Sequence, residues 1–287
     1  MSHSPYHLFS PATRTSSVVF ASPHSGRDYA ATFLGQAVLD AREIRSSEDA
    51  FVDQLFASAP DHGAPLLTAT APRAYLDLNR APDELDPALI MGVRRVPHNP
   101  RIASGLGVVP RVVANGRHIY RGKITLAEAH HRITNNWWPY HDQLQTLLDE
   151  GHNAFGQAIL IDCHSMPHEA LENIGAAGGI RPEVVLGDRF GAAAGADVIA
   201  QVESAFTDAG LRVARNMPFA GAYNTQHYGK PVRNQHAIQV EIDRALYMNE
   251  RTLEPHVDFD AFKVLLDRVI SAITAIGRAK EQRVAAE

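Results

Sequence analysis

The chain has a single cysteine, Cys163, among 287 residues. No disulfide can therefore close within it. Lysine is nearly absent, with 4 against 23 arginines, so its cations are mostly planar forks suited to binding carboxylates. No stretch approaches the roughly 18 consecutive apolar residues of a membrane-spanning helix, and none is expected. Met1 to Arg14 is polar and lacks the apolar run of a signal peptide, so a cytoplasmic location is expected. Repeats, low-complexity tracts and charge blocks are missing. With a net charge of -5 there is no broad basic footprint, and no nucleic-acid partner is expected. Composition is 45% hydrophobic and 21% charged, which excludes a disordered chain, a collagen and a coiled coil. The excess lies in histidine, at 15 residues.

Short apolar runs alternate with amphipathic stretches. Residues 17–21, 64–69, 158–161, 183–186, 211–213 and 236–242 read as strands, and 75–78 as a short extended piece. Asp49 to Ala59 reads as a helix, with Phe51, Val52, Leu55 and Phe56 at helical spacing. Thr125 and Glu128 form a capping box. The helix they open is expected to break at Pro139, with a second helix carrying Leu144, Leu147 and Leu148. Val198, Ile199, Val202 and Phe206 line another helix, and Phe262 to Ile273 a terminal one. Residues 81–122 lack periodicity and read as a long irregular excursion of the kind that is often functional. Gly221 to Gly229 reads as a loop that can cover a cleft. The alternation predicts an α/β fold, a mainly parallel sheet covered on both faces. No linker composition interrupts it, so residues 1–287 are expected to form one domain.

Ligands of such sheets sit beyond the carboxyl ends of the strands. Three strands end in polar groups there: Ser22-Pro23-His24-Ser25-Gly26, Asp162-Cys163-His164-Ser165, and Gln239 with Glu241, Asp243 and Arg244. Buried strands carry such groups only when a metal or a polar network satisfies them. His24, His164 and one carboxylate, Glu48 or Asp49, leave a fourth position open for water on a tetrahedral zinc ion, whose water would titrate near pH 7. Glu241 then serves as general base and acid, or else as a structural partner of Arg244. Asp162 is either the group that orients a ligand imidazole or a turn residue. Cys163 faces away from His164 on a strand and reads as a buried inert thiol. Asn79-Arg80 and Arg244 are carboxylate binders or plain surface ion pairs, and His227 and Tyr228 either cleft residues or packing. Trp137 and Trp138 read as packing. Gly105-Leu106-Gly107 is no dinucleotide fingerprint, and neither a phosphate loop nor a His-Glu-x-x-His pattern occurs.

In order along the chain stand Ser22-Pro23-His24-Ser25-Gly26, Asp49 with Val52-Asp53-x-Leu55, Ala74-Tyr75-x-Asp77-x-Asn79-Arg80, Asp162-x-His164-Ser165-Met166-Pro167, Tyr228-Gly229-x-Pro231, and Gln239-x-Glu241-x-x-Arg244-x-x-Tyr247. This set resembles the N-formylglutamate amidohydrolase family over most of the chain. The resemblance implies a three-layer α/β/α sandwich, like zinc carboxypeptidases and aspartoacylases, around a mixed, largely parallel sheet of about eight strands. It also implies one zinc ion (with other divalent metals possible) on His24, Asp49 and His164, with Glu48 as fallback for Asp49. Glu241 matches the catalytic carboxylate, and Arg80, with Asn79, a substrate-carboxylate clamp. In the carboxypeptidase-like relatives an acid follows the first His by three residues. Position 27 here is Arg, so the acid must come from farther along the chain.

The implied reaction is hydrolysis of an N-acyl amino acid, N-formyl-L-glutamate first. The rivals are a metallopeptidase or a deacylase for another acidic substrate, and a non-catalytic protein that binds an acidic ligand. Sequence leaves the oligomeric state open.

Overall fold

The computed structural model describes residues 4–94, 99–172 and 181–278. Among the described residues the main sheet has seven strands: β1 (Tyr6–Phe9), β2 (Val18–Ser22), β3 (Leu66–Ala69), β4 (Ala158–Met166), β5 (Val184–Gly187), β6 (Val213–Arg215) and β7 (Gln235–Asp243). They lie in the order β1-β3-β2-β4-β7-β5-β6. β3, β2, β4 and β7 are parallel neighbours. β1 runs antiparallel to β3, and β5 antiparallel to β7. The sheet is thus mixed, as expected, with seven strands rather than about eight. A separate two-stranded ribbon pairs β8 (Met248–Asn249) with β9 (Glu254–Pro255).

The helices are α1 (Ala31–Gln36), α2 (Val52–Leu55), α3 (Pro100–Ala103), α4 (Leu126–Arg132), α5 (Trp138–Phe155), α6 (Ala196–Asp208), α7 (Tyr223–Tyr228) and α8 (Phe259–Ile276). Alternation along the strands sorts the core into two slabs. Val18 and Phe20 of β2, Ile159, Ile161 and Cys163 of β4, and Ile238, Val240 and Ile242 of β7 pack with α6 and α8. Val19, Ala21, Leu160 and Ala237 face the other way, onto Leu144, Leu147 and Leu148 of α5. The excursion joins this second slab through Leu89, Ile90, Val108, Val109 and Ile119. No helix among the described residues is long and apolar enough to cross a membrane.

Five elements differ from the sequence reading. The helix expected from Asp49 shrinks to the single turn α2, because Phe51 takes a left-handed φ of 67°. That conformation is costly for a bulky residue and is held by edge-on packing of Phe51 against Phe259. Residues 75–78 pair with no strand; the Asp77 N–H instead donates to the Val108 carbonyl. Pro139 does not break its helix. A π-helical stretch (Ile133–Trp137) carries α4 into α5 and leaves Pro139 in the first turn of α5, where its missing N–H costs least. The loop expected at 221–229 contains α7, and β6 starts two residues later than the apolar run suggests. The Thr125 hydroxyl does accept from the Glu128 N–H, but the Glu128 carboxylate turns to Arg132 rather than back to the cap.

Candidate metal and catalytic site

β2, β4 and β7 outrun the apolar slab at their carboxyl ends, and the slab's face turns polar there. Parallel register places Asp162 beside Gln239 and His164 beside Glu241. Asp162 and His164 are two apart on one strand, so both point to the same face. His24 follows β2 directly. Asp49 is brought to it by a backbone bond, Asp49 N–H to the His24 carbonyl at 3.0 Å. Gly26 makes the turn possible: a Cβ there would stand 2.1 Å from the Ala71 carbonyl oxygen.

Three ligand atoms converge. His24 Nδ1 and His164 Nδ1 are 3.1 Å apart, and Asp49 Oδ2 lies 3.3 Å from the first and 3.0 Å from the second. The far nitrogens are committed to carboxylates, His24 Nε2 to Asp77 Oδ1 at 2.7 Å and His164 Nε2 to Asp162 Oδ2 at 2.9 Å. Those bonds hold the protons on Nε2 and leave both Nδ1 lone pairs facing one point with a carboxylate oxygen. A tetrahedral zinc ion with bonds of about 2.0 Å has ligand–ligand edges of about 3.3 Å. The triangle of 3.0, 3.1 and 3.3 Å fits that size, and two imidazoles with one carboxylate suit such an ion chemically. His24, Asp49 and His164, all buried, therefore form a group that can hold a metal ion. Without a cation the cluster must be stabilised by a proton. Burial opposes charge on His164, but Asp162 and Asp49 outweigh it and push its pKa well up. Asp49 is held well below the usual carboxylate range by its bonds to both imidazoles, against burial. Metal binding has to displace that proton.

The fallback acid is elsewhere. Glu48 accepts from the Tyr29 hydroxyl at 2.6 Å and from the Arg45 fork, so its carboxylate is tied away from the cluster. Arg244 does not pair with Glu241, one of the arrangements considered. Its Nη2 donates to Asp49 Oδ1 at 3.0 Å and to the Glu48 carbonyl at 2.8 Å, and its Nε to Ser165 Oγ. It fixes the second oxygen of the ligand carboxylate.

Glu241 is buried on the cluster's flank, and Gln239 Nε2 donates to its Oε1 at 2.8 Å. Burial raises its pKa to about 7, with Asp49 adding to the rise and His164, Arg73 and Arg244 opposing it. Asn79 is fully engaged. Its amide donates toward Asp162 and Gln239 and meets His164 Nε2 at 3.2 Å, while its Oδ1 accepts from the Asn224 N–H. It is a hub that ties β4, β7 and α7 together. Arg80 gives its Nε to the Leu106 carbonyl and one Nη to the Asn79 carbonyl, and Trp137 Nε1 donates to the Arg80 carbonyl.

A cavity of about 690 Å³ opens over this cluster, lined by His24, Asp49, His164 and Glu241 together with Asn79, Arg80 and Arg244. His227 and Tyr228 are not brought to it. His227 stacks on Tyr223, and the Tyr228 hydroxyl is bonded to Nδ1 of His141. Cys163 is buried on the opposite face with its thiol pKa pushed up by burial. Trp137 is core, whereas Trp138 is 48% exposed. Three charged lining residues, Asp77, Arg73 and Arg101, stand outside the candidate site residues of the sequence. Asp77 lies inside the Tyr75-x-Asp77-x-Asn79-Arg80 motif, so its spacing was the available signal. Arg73 Nε donates to Asp77 Oδ2 at 3.1 Å, four residues along the chain.

A triad that can hold a metal ion at strand ends, flanked by a carboxyl that titrates near neutrality and opening into an arginine-lined cavity, defines a hydrolase-type α/β site. The N-formylglutamate amidohydrolase family model matches residues 16–248, and the chain belongs to that family. An N-formylglutamate deformylase of Pseudomonas putida is 28% identical over 277 residues, covering 93% of this chain and 95% of its own. One from Pseudomonas aeruginosa is 27% identical, covering 91% and 94%. The crystal structure of N-formylglutamate amidohydrolase from Ralstonia eutropha superposes with a TM-score of 0.89 at 33% identity, over 96% of this chain and 99% of that one. An Agrobacterium tumefaciens gene product, Atu2144, shares the fold at 16% identity and a TM-score of 0.64.

Proposed function

We propose that this chain hydrolyses N-formyl-L-glutamate to formate and L-glutamate with one divalent ion, zinc by preference, held by His24, Asp49 and His164. The observation that carries the reading is the convergence of those three ligand atoms beside Glu241 in one cavity, in a member of this family. When bound, a divalent ion supplies a Lewis acid that acidifies water and polarises a carbonyl oxygen. The chain's own residues do the rest. Glu241, titrating near 7, takes a proton from the attacking water and returns it to the leaving amine. Gln239 holds that carboxyl in place. Asp77 and Asp162 orient the imidazoles, which raises their basicity. Arg244 keeps Asp49 from rotating, and Arg80 holds a substrate carboxylate by charge-assisted hydrogen bonds.

The test is formate release from N-formyl-L-glutamate by zinc-loaded protein, run beside N-acetyl-L-glutamate and a glutamyl dipeptide. Preferred turnover of the formyl compound, abolished by chelation and restored by zinc, supports the proposal. Faster turnover of the acetyl or peptide substrate moves it to the deacylase or peptidase alternative. Binding without turnover of any of them leaves an acidic-ligand binding protein.

A further inference from the structure

Four arginines line the cavity: Arg73, Arg80, Arg101 and Arg244. Two are neutralised within the protein, Arg73 by Asp77 and Arg244 by Asp49. The other two make no direct ion pair with a carboxylate among the described residues, although Asp77 and Glu84 lie close enough to favour the charge on Arg80. Arg80 is only 7% exposed, and its hydrogen bonds go to two backbone carbonyls. The side chain of Arg101 makes no hydrogen bond or ion pair with a described residue; only its backbone is engaged, its N–H by the Asn99 side chain and its carbonyl by the Leu106 N–H.

The irregular excursion is built to hold these two cations at one wall. Asn99 caps α3 through its side chain. The Leu106 N–H donates to the Arg101 carbonyl at 2.8 Å, and the Leu106 carbonyl accepts from Arg80 Nε. Arg111 clamps the same segment, with Nη2 on the Ala103 carbonyl and Nε on Asp86. Arg101 is close enough to oppose the charge on Arg80. Two cations at one wall, neither in a direct ion pair with a described carboxylate, fit a ligand that carries two anionic groups.

We infer that Arg101 reads the side-chain carboxylate of the substrate and so selects N-acylated acidic amino acids over neutral ones, while Arg80 holds the α-carboxylate. This rests on the hydrolase reading above and names the residue that sets its amino-acid preference. The order of the two follows from covalent distance. The α-carboxylate is nearer the scissile amide than the side-chain carboxylate by two methylene groups. Arg80 is buried and adjoins Asn79, which touches His164, whereas Arg101 is exposed at the mouth.

The test is calorimetric binding of L-glutamate and L-glutamine to zinc-loaded wild type, Arg101→Gln, Arg101→Lys and Arg80→Gln. Wild type is expected to prefer glutamate by roughly 10- to 100-fold, the worth of a hydrogen bond to a charged group. Arg101→Gln is expected to erase that ratio with glutamine affinity and melting temperature unchanged, Arg101→Lys to restore part of it, and Arg80→Gln to weaken both ligands. A preserved ratio in Arg101→Gln, equal loss of both ligands there, no preference in wild type, or no binding of either overturns the assignment. Turnover of N-formyl-L-glutamate is scored apart. Preference lost in Arg101→Gln, in a protein that never hydrolyses the formyl compound, keeps the recognition and sinks the hydrolase. Turnover with preference intact does the reverse.

Discussion

Replacing Glu241 by Gln should make the metal-free protein more stable, and the gain should grow with pH. An ordinary glutamate titrates near 4.5, and burial lifts this one to about 7. A folded pKa above the unfolded value means that the folded state favours the protonated form. The carboxyl therefore costs nothing below pH 4.5, and its penalty builds as pH rises toward 7 and is complete above it. The difference of roughly 2.5 pH units corresponds to about 3 kcal/mol. Gln keeps the shape and can still accept from Gln239 Nε2, so it removes the charge alone. Urea unfolding of both proteins in chelator, at pH 5 and pH 9, reads the effect. The variant's advantage should be larger at pH 9 by about 2.5 kcal/mol, since part of the penalty is already present at pH 5. A change below about 0.5 kcal/mol between the two pH values would refute the claim that the fold strains this carboxylate. The same variant, metal-loaded, should lose roughly 10²- to 10⁴-fold in kcat, the exchange of stability for function expected of a catalytic acid–base.

Four further outcomes follow from the structure. Elemental analysis should find about one divalent ion per chain, lost in His164→Ala and Asp49→Ala and kept in Glu48→Gln; loss in Glu48→Gln alone would reverse the ligand choice. Competition with a chromogenic chelator should show Asp77→Asn binding the metal about 10- to 100-fold more weakly, because His24 loses the carboxylate that orients it. Arg244→Met leaves Asp49 Oδ1 buried without its cation and should cost about 3–5 kcal/mol of stability in chemical denaturation, whereas a residue serving substrate alone would leave stability unchanged. Native protein should not react with a thiol reagent and should lose no activity to it, since Cys163 is fully buried with a raised pKa; rapid labelling of folded protein would contradict the burial.

The apolar runs, read with periods of two and 3.6, determined the central strands, the terminal helix and the α/β class, because those patterns record which faces are buried. The polar interruptions at 24, 164 and 241 marked the site, since a central strand keeps such groups only for a reason. The runs do not encode strand direction, so the antiparallel entry of β1 and β5 appeared only in the sheet. Local propensity favoured a helix at Asp49, but packing of Phe51 on Phe259 overrode it and freed Asp49 to meet His24. The side chains of Glu48 and Asp49 are equally good ligands on paper. What separated them was tertiary: Tyr29 and Arg45 claim Glu48, and Arg244 steadies Asp49. Asp77 was legible within its motif, but its bond to His24, 53 residues away, and the placing of Arg73 and Arg101 at the cavity wall came only with the folded chain. His227 and Tyr228 were legible as polar residues in a glycine-rich stretch, but only the folded chain decided that α7 turns them away from the cavity.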